Sequence, residues 1–463
     1  MLLRVPRETS EGVGTDTLPR DGTVPPSLTR PSGSAAGRSP RYTDLKMSLH
    51  RRLLDMINLS VIDKMAPADF RREIGEIVRE LLLDESTPLN FAERTRLVDD
   101  ILDELLGLGP LEPLLKDDTV SDILVNTPRR VFVERAGRLE LTPVQFKDDR
   151  HLLRIIDKIV SSVGRRVDES QPMVDARLAD GSRINAVIPP IAVDGPLLSI
   201  RKFAKVPFHI DTLVDLGTFP PPVAELLEGI VACRRNVVIS GGAGSGKTTL
   251  LNAMSAFIGR RERVVTVEDA AELQLQQDHV ARLETRPANI EGRGEISPRD
   301  LVRNALRMRP DRIVVGEVRA GEAFDMLQAM NTGHEGSMTT VHANSARDAL
   351  WRLEQMVGLA GVDLPARSMR GQIASAVHVV IQLERMSDGR RRLVGLNEVT
   401  GLEGDTVTMQ EIFRFRRRHT TPQGVIEGEF SATGIRPQFM HDFQTRGVAV
   451  SPGLFEPGRP LGA

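Results

Sequence analysis

Two stretches in the N-terminal third of the chain place apolar residues at helical spacing. Their apolar positions are Phe70, Ile74, Ile77, Val78, Leu81 and Leu82, followed by Leu97, Val98, Ile101, Leu102, Leu105 and Leu106. Apolar residues that recur every three or four positions give a helix one face to bury. Glycine and proline interrupt the pattern in GLGPLEPLL, where we expect the helices to end. The pattern predicts a small helical module over residues 47–115.

From about residue 118 the pattern changes to short strands separated by turns. VSDILVN, RVFVERAGRLELT and SRINAVIPP alternate apolar and polar positions around the turn pairs Ala136-Gly137 and Asp180-Gly181. A helix-like stretch, RHLLRIIDKIVSSVG, lies between them. The pattern predicts a compact α+β domain over residues 116–210.

Residues 211–463 begin with a Pro-rich linker, LGTFPPPVAELL, and a helix that we expect to begin near Val223. Apolar strands then alternate with helical stretches, and the strand-like segments are NVVISG, RVVTVED, RIVVGEV and SMTTVHA. Such alternation is typical of a largely parallel sheet with helices packed on it. The predicted fold class is α/β, with the α+β domain and the helical module preceding this larger domain.

Composition narrows the class of protein further. Residues 1–46 are rich in Pro, Gly, Ser, Thr and Arg, which predicts a disordered arm and leaves Met47 as an alternative start. The 61 basic and 63 acidic residues nearly balance, so no nucleic acid is expected as a partner. A single cysteine, Cys233, excludes a disulfide framework and a cysteine-ligated zinc module. Because no apolar run approaches the roughly 20 residues that span a bilayer, we expect a cytoplasmic protein.

The stretch VVISGGAGSGKTTLLNAM contains a phosphate-binding motif. A strand is expected to end at Ser240, and Gly241 to Thr248 match G-x-x-x-x-G-K-[ST] before a helix. The glycines let backbone N–H groups surround phosphate oxygens at a helix N-terminus. Lys247 is predicted to reach the β- and γ-phosphates, and the Thr248 hydroxyl to ligate Mg²⁺. The predicted nucleotide-binding residues are Gly241, Gly242, Ala243, Gly244, Ser245, Gly246, Lys247, Thr248 and Thr249.

Two later strands are followed by acidic residues. RVVTVEDAAEL contains Glu268, Asp269 and Glu272, and RPDRIVVGEVRAGEA contains Glu317. Ligands of open α/β sheets lie beyond the carboxyl ends of the strands, so we expect these side chains to converge on the phosphate-binding loop. Glu317 is predicted to polarise the attacking water. Glu268 is predicted to be a second catalytic carboxylate or to hold Mg²⁺, directly or through water.

The stretch NTGHEGSMTTVHANS places His334 and His342, two of the nine histidines, eight positions apart. A zinc site needs a third protein ligand, and the sequence contains neither H-E-x-x-H nor a cysteine pair. SMTTVHA is predicted to form a strand with His342 near its carboxyl end and His334 in the preceding loop. We interpret the histidines as a switch that hydrogen-bonds around the γ-phosphate or relays its presence to a neighbouring subunit.

Together these motifs resemble the secretion and pilus-assembly ATPases of the type II/type IV superfamily. The four hallmarks are the Walker A loop Gly241–Thr248, an aspartate-box-like VEDAAELQL, the atypical Walker B segment IVVGE and the histidine box GHEGSMTTVHANS. The branch that it looks most similar to is the CpaF/TadA-type ATPase of tight-adherence pili. The segments that carry this likeness are GRRVDESQPMVDARLADGSRINAVIPP, SIRKF, RPDRIVVGEVRAGEAFDMLQAMNTGHEGS, EIFRF and ATGIRPQF.

The resemblance implies a homohexameric ring whose subunits each pair a PAS-like N-terminal domain with a RecA-like motor domain. It implies ATP and Mg²⁺ as ligands, an inner-membrane platform protein of a pilus system as partner, and peripheral membrane association through that partner. In such rings, arginines of the smaller domain complete the γ-phosphate site, and the matching positions here are Arg177, Arg183 and Arg201. A guanidinium there would stabilise charge on the transferring phosphoryl group.

Three functions follow from these motifs. The first is a motor that hydrolyses ATP to assemble tight-adherence pili, with retraction left open as a second action. The second is a type IV secretion ATPase that moves effectors or DNA. The helical module favours the first. The third is an adaptor that binds ATP without turnover, which Glu317 and the arginines disfavour. The basic runs at 389–392 and 414–418 are predicted to be solvated hairpin faces, with a surface for the membrane platform as the alternative.

Overall fold

A computed structural model describes residues 67–83, 89–178, 180–203, 208–288, 293–451 and 453–457, with isolated positions at 45, 48, 49, 52, 53 and 461. The disordered arm predicted for residues 1–46 lies outside these residues except at position 45. No helix among the described residues is long and apolar enough to cross a membrane.

Two amphipathic helices form at the positions that the apolar spacing predicted. They are α1 (Pro67–Leu83) and α2 (Phe91–Leu106). Helix α2 begins with a capping box, in which Asn90 and Glu93 each accept the other's backbone N–H. Their apolar faces form a small core of their own. A 3₁₀ turn (Gly109–Leu111) and a short helix, α3 (Glu112–Lys116), follow where glycine and proline interrupt the pattern.

The next region is an antiparallel sheet covered by one helix. Its strands are β1 (Val120–Thr127), β2 (Arg130–Arg135), β3 (Arg138–Leu141), β4 (Met173–Arg177), β5 (Arg183–Val187) and β6 (Leu197–Arg201). They pair in the order β3-β2-β1-β6-β5-β4. Helix α4 (Asp149–Ser162) buries its apolar face, including Ile156 and Ile159, in the same core as the sheet. The α+β composition predicted from the alternating pattern is confirmed here; the boundaries 116–210 stay a prediction.

The C-terminal half contains a nine-stranded sheet, which we call the motor sheet. Its strands are β7 (Val237–Gly241), β8 (Val264–Glu268), β9 (Val280–Glu284), β10 (Arg312–Val315), β11 (Met338–His342), β12 (Val379–Arg385), β13 (Arg391–Glu403), β14 (Thr406–Thr420) and β15 (Ile426–Ala432). The order is β15-β14-β13-β12-β7-β11-β10-β8-β9. Six neighbouring strands are parallel, namely β12, β7, β11, β10, β8 and β9. Strands β13, β14 and β15 extend the sheet with antiparallel pairing. The prediction of a largely parallel sheet is therefore confirmed.

Helices cover both faces of the motor sheet. They are α5 (Ile210–Asp215), α6 (Pro221–Ala232), α7 (Lys247–Ser255), α8 (Pro298–Ala305), α9 (Glu322–Asn331), α10 (Ala346–Gly358), α11 (Ala366–Ala376) and α12 (Met440–Thr445). Strand β7 is buried on both sides, because Val237 and Ile239 join one core while Val238 joins the other. Strands buried on both faces read as continuous apolar runs. This explains why the strand segments were recognisable from the sequence. Cys233 is buried at the end of α6, as expected for a structural cysteine.

Candidate functional site

The phosphate-binding loop lies at the carboxyl edge of the motor sheet. Strand β7 ends at Gly241, one residue later than predicted, and α7 begins at Lys247. Gly244 and Gly246 have φ values of 65° and 94°, which side-chain-bearing residues rarely adopt. A Cβ on Gly241 would lie 2.4 Å from Ser245 Oγ. The loop therefore requires glycine at these positions, and it leads directly into a helix N-terminus that favours anions.

The side chain of Lys247 folds back on its own loop. Its Nζ donates to the carbonyl oxygens of Gly241 and Gly242, each at 3.0 Å. Burial lowers the pKa of Lys247, and the neighbouring Glu317 opposes that shift. The ammonium thus donates to two neutral carbonyl oxygens, and phosphate oxygens would bind it more strongly because they carry negative charge.

Glu317 lies beside this loop, two residues beyond the end of β10. Its Oε2 accepts from Nε and Nη2 of Arg319 at 3.0 and 2.5 Å. Arg319 Nη1 also donates to Asp269 Oδ2 at 3.0 Å. The burial of Arg319 tends to lower its pKa, but the bonds to Glu317 and Asp269 outweigh burial and the pKa is raised. Of the four carboxylates expected to converge after β8 and β10, Asp269 and Glu317 are therefore joined by one guanidinium.

Arg319 is a site residue that the sequence reasoning missed. The signal was available in GEVR, because residues two apart in extended chain point to the same side. Only the adjacency of β8 and β10 shows that Asp269 completes the bridge; Val315 of β10 pairs with Val267 of β8.

Glu268 lies at the end of β8 and is buried. Its Oε2 accepts from the backbone N–H groups of Glu272 and Leu273 at 2.7 and 2.6 Å. Burial raises the pKa of Glu268, and these two hydrogen bonds oppose that shift. In this conformation the carboxylate shapes the loop that follows β8, residues 269–273, which we call the aspartate-box loop. Its predicted catalytic or metal-shell role stays a prediction.

Two of the three predicted arginines of the smaller domain reach the aspartate-box loop. Arg177 Nη2 donates to Ala271 O at 3.0 Å, and its Nη1 to Glu284 Oε2 at 2.8 Å. Arg183 Nε lies 2.7 Å from Glu272 Oε1. These contacts tie the antiparallel sheet to the motor sheet at the edge that holds the phosphate-binding loop.

Arg201, the third predicted arginine, makes a different contact. It is more than half exposed, and its Nε lies 3.9 Å from Asp122 Oδ1. Its charge is felt by Lys247, whose pKa it lowers. Arg201 therefore lies close enough to the phosphate-binding loop to act on Lys247 electrostatically, while Arg177 and Arg183 contact the loop after β8.

The two histidines lie at opposite ends of β11. His342 is the last residue of that strand and pairs in register with Gly241, the first residue of the phosphate-binding motif. It is exposed at the nucleotide edge. The predicted strand and the position of His342 at its carboxyl end are confirmed.

His334 lies four residues before β11 begins, at the amino edge of the motor sheet. There, Ser337 Oγ donates to His334 O at 2.7 Å, and Asn236, which precedes β7, accepts from Gly336 N. Of the two roles predicted for the histidines, hydrogen bonding around the γ-phosphate of its own subunit does not suit His334, because the length of β11 separates it from the phosphate-binding loop. Its Nδ1 is buried without a hydrogen-bond partner among the described residues, and the relay to a neighbouring subunit stays a prediction.

The prediction that the basic run at 389–392 is a solvated hairpin face is wrong for Arg391 and Arg392 and holds for Arg390, which is exposed. Arg391 Nε donates to Gly244 O of the phosphate-binding loop at 2.9 Å. Arg392 is buried, with its guanidinium carbon 4.6 Å from the centre of the Phe415 ring. The prediction failed because β13 pairs with β12, next to β7, and this brings the hairpin against the loop. In the second run, Arg416, Arg417 and Arg418 are exposed, as predicted.

The donors at this edge fit a nucleoside triphosphate. Backbone N–H groups of the loop, the Lys247 ammonium and the Thr248 hydroxyl converge at the start of α7. No group of three or more His, Cys, Asp or Glu side chains among the described residues is arranged to hold a metal ion. The Thr248 hydroxyl and phosphate oxygens are donors that suit Mg²⁺, and the part of Glu268 in holding this ion stays a prediction.

Comparison with known proteins agrees with this geometry. Residues 104–427 match the family model described as type II/IV secretion system protein. The chain is 42% identical over 307 residues to a putative conjugal transfer protein of Mycobacterium tuberculosis, covering 65% of this chain and 87% of that protein. It is 31% identical over 350 residues to the type IV secretion system protein VirB11 of Bartonella henselae, covering 67% and 95%.

Two solved structures are similar in part. The VirB11 ATPase of Brucella suis, in complex with sulphate, has 29% identity and a TM-score of 0.34, covering 62% of this chain and 95% of that chain. The pilus retraction motor PilT with bound ADP has 23% identity and a TM-score of 0.43, covering 59% and 78%. Because both TM-scores lie below 0.5, the assignment to a family rests on the sequence matches.

Proposed function

The chain belongs to the type II/IV secretion system protein family and is an ATPase with a RecA-like motor domain, and on that premise we propose that it is a pilus-assembly motor of the CpaF/TadA type. It hydrolyses ATP as a homohexamer and drives the assembly of tight-adherence pili through an inner-membrane platform protein. It acts in the cytoplasm, attached to the inner membrane through that partner.

The observation that carries this proposal is the joint between the two sheets at the nucleotide edge. Arg177 and Arg183 of the antiparallel sheet hold the aspartate-box loop, and that loop shares Arg319 with Glu317. A change at the γ-phosphate therefore reaches the smaller domain through side chains that already touch. A motor needs this connection, because hydrolysis must move one domain against the other.

Each residue of the site has a role in this proposal. When ATP binds, the Lys247 ammonium exchanges the carbonyl oxygens of Gly241 and Gly242 for the β- and γ-phosphates. Thr248 would hold Mg²⁺, which would neutralise charge on those phosphates. Glu317 leaves Arg319 and orients the attacking water. When the domains close, Arg177, Arg183 and Arg201 place positive charge where negative charge develops on the transferring group. His342, beside Gly241, senses whether the γ-phosphate is present.

The alternative is a type IV secretion ATPase that moves effectors or DNA, and the names of the relatives support it comparably. Relatives at 42% and 31% identity are called a conjugal transfer protein and VirB11. Helices α1 and α2, which form a core of their own before the antiparallel sheet, favour the pilus motor as in the sequence argument. Both functions use the same ATP site.

A count of surface filaments tests the choice in cells whose only copy carries Glu317→Gln. This isosteric change keeps ATP binding but removes the carboxylate, and we expect purified protein to release phosphate about 100-fold more slowly and the cells to lose their filaments. The control is Glu228→Gln, an exposed position on α6, which should change neither.

The cellular result discriminates between the two functions. If filaments persist while secretion or DNA transfer stops, the protein is a secretion ATPase and not a pilus-assembly motor. If filaments become more numerous, it is a retraction motor. If the purified Glu317→Gln variant released phosphate at the normal rate, the water-orienting role would belong to another residue, with Glu268 as the next candidate.

A further inference from the structure

Two tight turns meet beside the phosphate-binding loop. One is Ala136-Gly137, between β2 and β3 of the antiparallel sheet, with φ values of 47° and 81°. The other ends at Gly389, between β12 and β13 of the motor sheet. A Cβ on Gly137 would lie 3.3 Å from Gly389 O, and one on Gly389 would lie 3.6 Å from Ala136 O. The two backbones are therefore in contact at a point where each sheet has a turn.

Two arginines of the β12–β13 hairpin join this contact to the loop. Arg385 Nη2 donates to Gly137 O, and its Nη1 lies 3.2 Å from the position that a Cβ on Gly244 would occupy. Arg391 Nε donates to Gly244 O at 2.9 Å. Both side chains therefore touch the loop that binds phosphate, and Arg385 also touches the antiparallel sheet.

One carboxylate of the antiparallel sheet faces both arginines. Glu134, at the end of β2, has an Oε2 atom 3.5 Å from Arg385 Nη2 and an Oε1 atom 3.7 Å from Arg391 Nη2. Its side chain is only 15% exposed. Water therefore screens the attraction between Glu134 and the two arginines less than it screens a pair on the open surface.

Positive charge exceeds negative charge around this point. Burial lowers the pKa of Arg391, the charges of Arg385 and Arg201 lower it further, and Glu134 and Asp122 oppose them. Arg201 also lowers the pKa of Lys247. The cationic groups Arg201, Lys247, Arg385 and Arg391 thus face three carboxylates, those of Glu134, Asp122 and Glu317, and Glu317 is also paired with Arg319. Such a surplus favours a polyanion.

From this arrangement we propose that Glu134 competes with the phosphates of a bound nucleotide for Arg385 and Arg391, and that this competition controls the turn-to-turn contact between the two sheets. Without nucleotide, Glu134 holds the hairpin arginines and the turns together. With nucleotide, the arginines turn toward the phosphates, and the antiparallel sheet is released to close. The inference rests on the proposed function, because it presupposes that the loop binds a nucleoside triphosphate.

To test this competition, the dissociation constant of the full chain is measured for a fluorescent, non-hydrolysable ATP analogue in the presence of Mg²⁺. Glu134→Gln removes the competitor and nearly preserves the shape of the side chain, so we expect it to lower the dissociation constant about fivefold, as for one charge removed near a polyanion site. In an Arg391→Gln background the same change should lower the dissociation constant by clearly less than about fivefold, because one of the two arginines that Glu134 and the phosphates compete for is gone and only Arg385 remains.

The control is Arg390→Gln, an exposed arginine in the same hairpin. Combined with Glu134→Gln it should keep the full fivefold effect. A merely structural role of Glu134 would lower the melting temperature and act equally in both backgrounds, so the dependence on Arg391 separates the two explanations. Raised salt should shrink the effect as well.

The outcomes separate this inference from the proposed function. If the wild-type chain does not bind the analogue, the proposed function fails. If it binds and Glu134→Gln leaves affinity unchanged, or changes it equally with and without Arg391, the competition is overturned.

Should Glu134→Gln not fold, Glu134→Asp is the substitute, because it withdraws the carboxylate by one methylene and must also tighten nucleotide binding. Unchanged affinity in that variant overturns the inference. Should Arg391→Gln not fold, Arg385→Gln provides the second background.

Discussion

At the two edges of the motor sheet, arginine–carboxylate pairs lie at different depths. At the amino edge the Arg312 side chain is 1% exposed, and its Nε and Nη2 donate to Glu262 at 2.7 and 2.9 Å. At the carboxyl edge the Arg319 side chain is 57% exposed and bridges Glu317 and Asp269. The bonds have similar lengths, but only those of Arg312 lie in the interior.

Depth decides what such a pair does. Removing one partner of a buried pair leaves an uncompensated charge, whereas exposed pairs contribute little to stability. The amino edge is fixed further by Asn236, whose amide oxygen accepts from Gly336 N and Ser337 N and whose amide nitrogen donates to Ala376 O. The carboxyl edge instead keeps weak contacts that a phosphate can displace. One edge holds the strands in place, and the other exchanges partners.

The largest effect on the carboxyl edge is expected from Lys247→Ala. The ammonium provides the charge that pairs with the β- and γ-phosphates, so we expect turnover to fall at least about 1,000-fold. The fold should be retained, because Lys247 bonds only to carbonyls of its own loop. Phosphate release and the melting temperature are the measurements. If this variant hydrolysed ATP at the normal rate, residues 241–248 would not be the phosphate-binding loop.

The amino edge should respond in the opposite way to Arg312→Met. Glu262 would keep Arg234, 3.0 Å away, but lose its buried partner, and we expect a loss of about 3 kcal/mol in the free energy of unfolding. The folded fraction should still bind ATP. Denaturant unfolding measures this, with Arg234→Gln as the more exposed control, for which the loss should stay below about 1 kcal/mol. Equal losses in the two variants would show that depth is not the deciding factor.

A smaller effect is expected from Arg319→Gln. Without the guanidinium, Glu317 and Asp269 lose their shared orienting partner, and we expect kcat to fall about tenfold while nucleotide affinity stays within about twofold. Stability should hardly change, because the pair is exposed. Steady-state kinetics gives kcat, and equilibrium binding gives the nucleotide affinity, so the two measurements together separate a loss of turnover from a loss of binding. A loss of several kcal/mol in stability would mean that this pair fixes the fold, as Arg312 does.

The smallest effects should come from the histidines, and they sharpen the comparison of the edges. His342→Ala, beside Gly241, should retain ATP binding but lower turnover severalfold. His334→Ala, at the other edge, should leave nucleotide affinity unchanged and affect only turnover that depends on subunit assembly. ATP binding and turnover are measured at one protein concentration below that at which the subunits assemble and at one above it. Weaker ATP binding of the His334→Ala variant at the low protein concentration would contradict the placement of His334 at the amino edge of the motor sheet, away from the nucleotide.

Much of this edge could be predicted from the sequence. The parallel strands are continuous apolar runs, and the residues that follow them must lie at one edge of the sheet. The phosphate-binding loop, Glu268, Glu317 and His342 were found in this way. The loop needs glycine for its backbone geometry and lysine for its charge, so the pattern is readable without the fold.

The remaining features depended on strand order. The hairpin arginines reach Gly244 because β12 lies beside β7, a neighbour 142 residues away along the chain at the pair Val379 and Val237. Arg319 reaches Asp269 because β8 pairs with β10. His334 and His342 are close in sequence, yet they lie at opposite edges because a five-residue extended strand begins after His334 and ends at His342. Local spacing determines what each segment becomes, but which segments meet is decided only when their apolar faces pack into common cores.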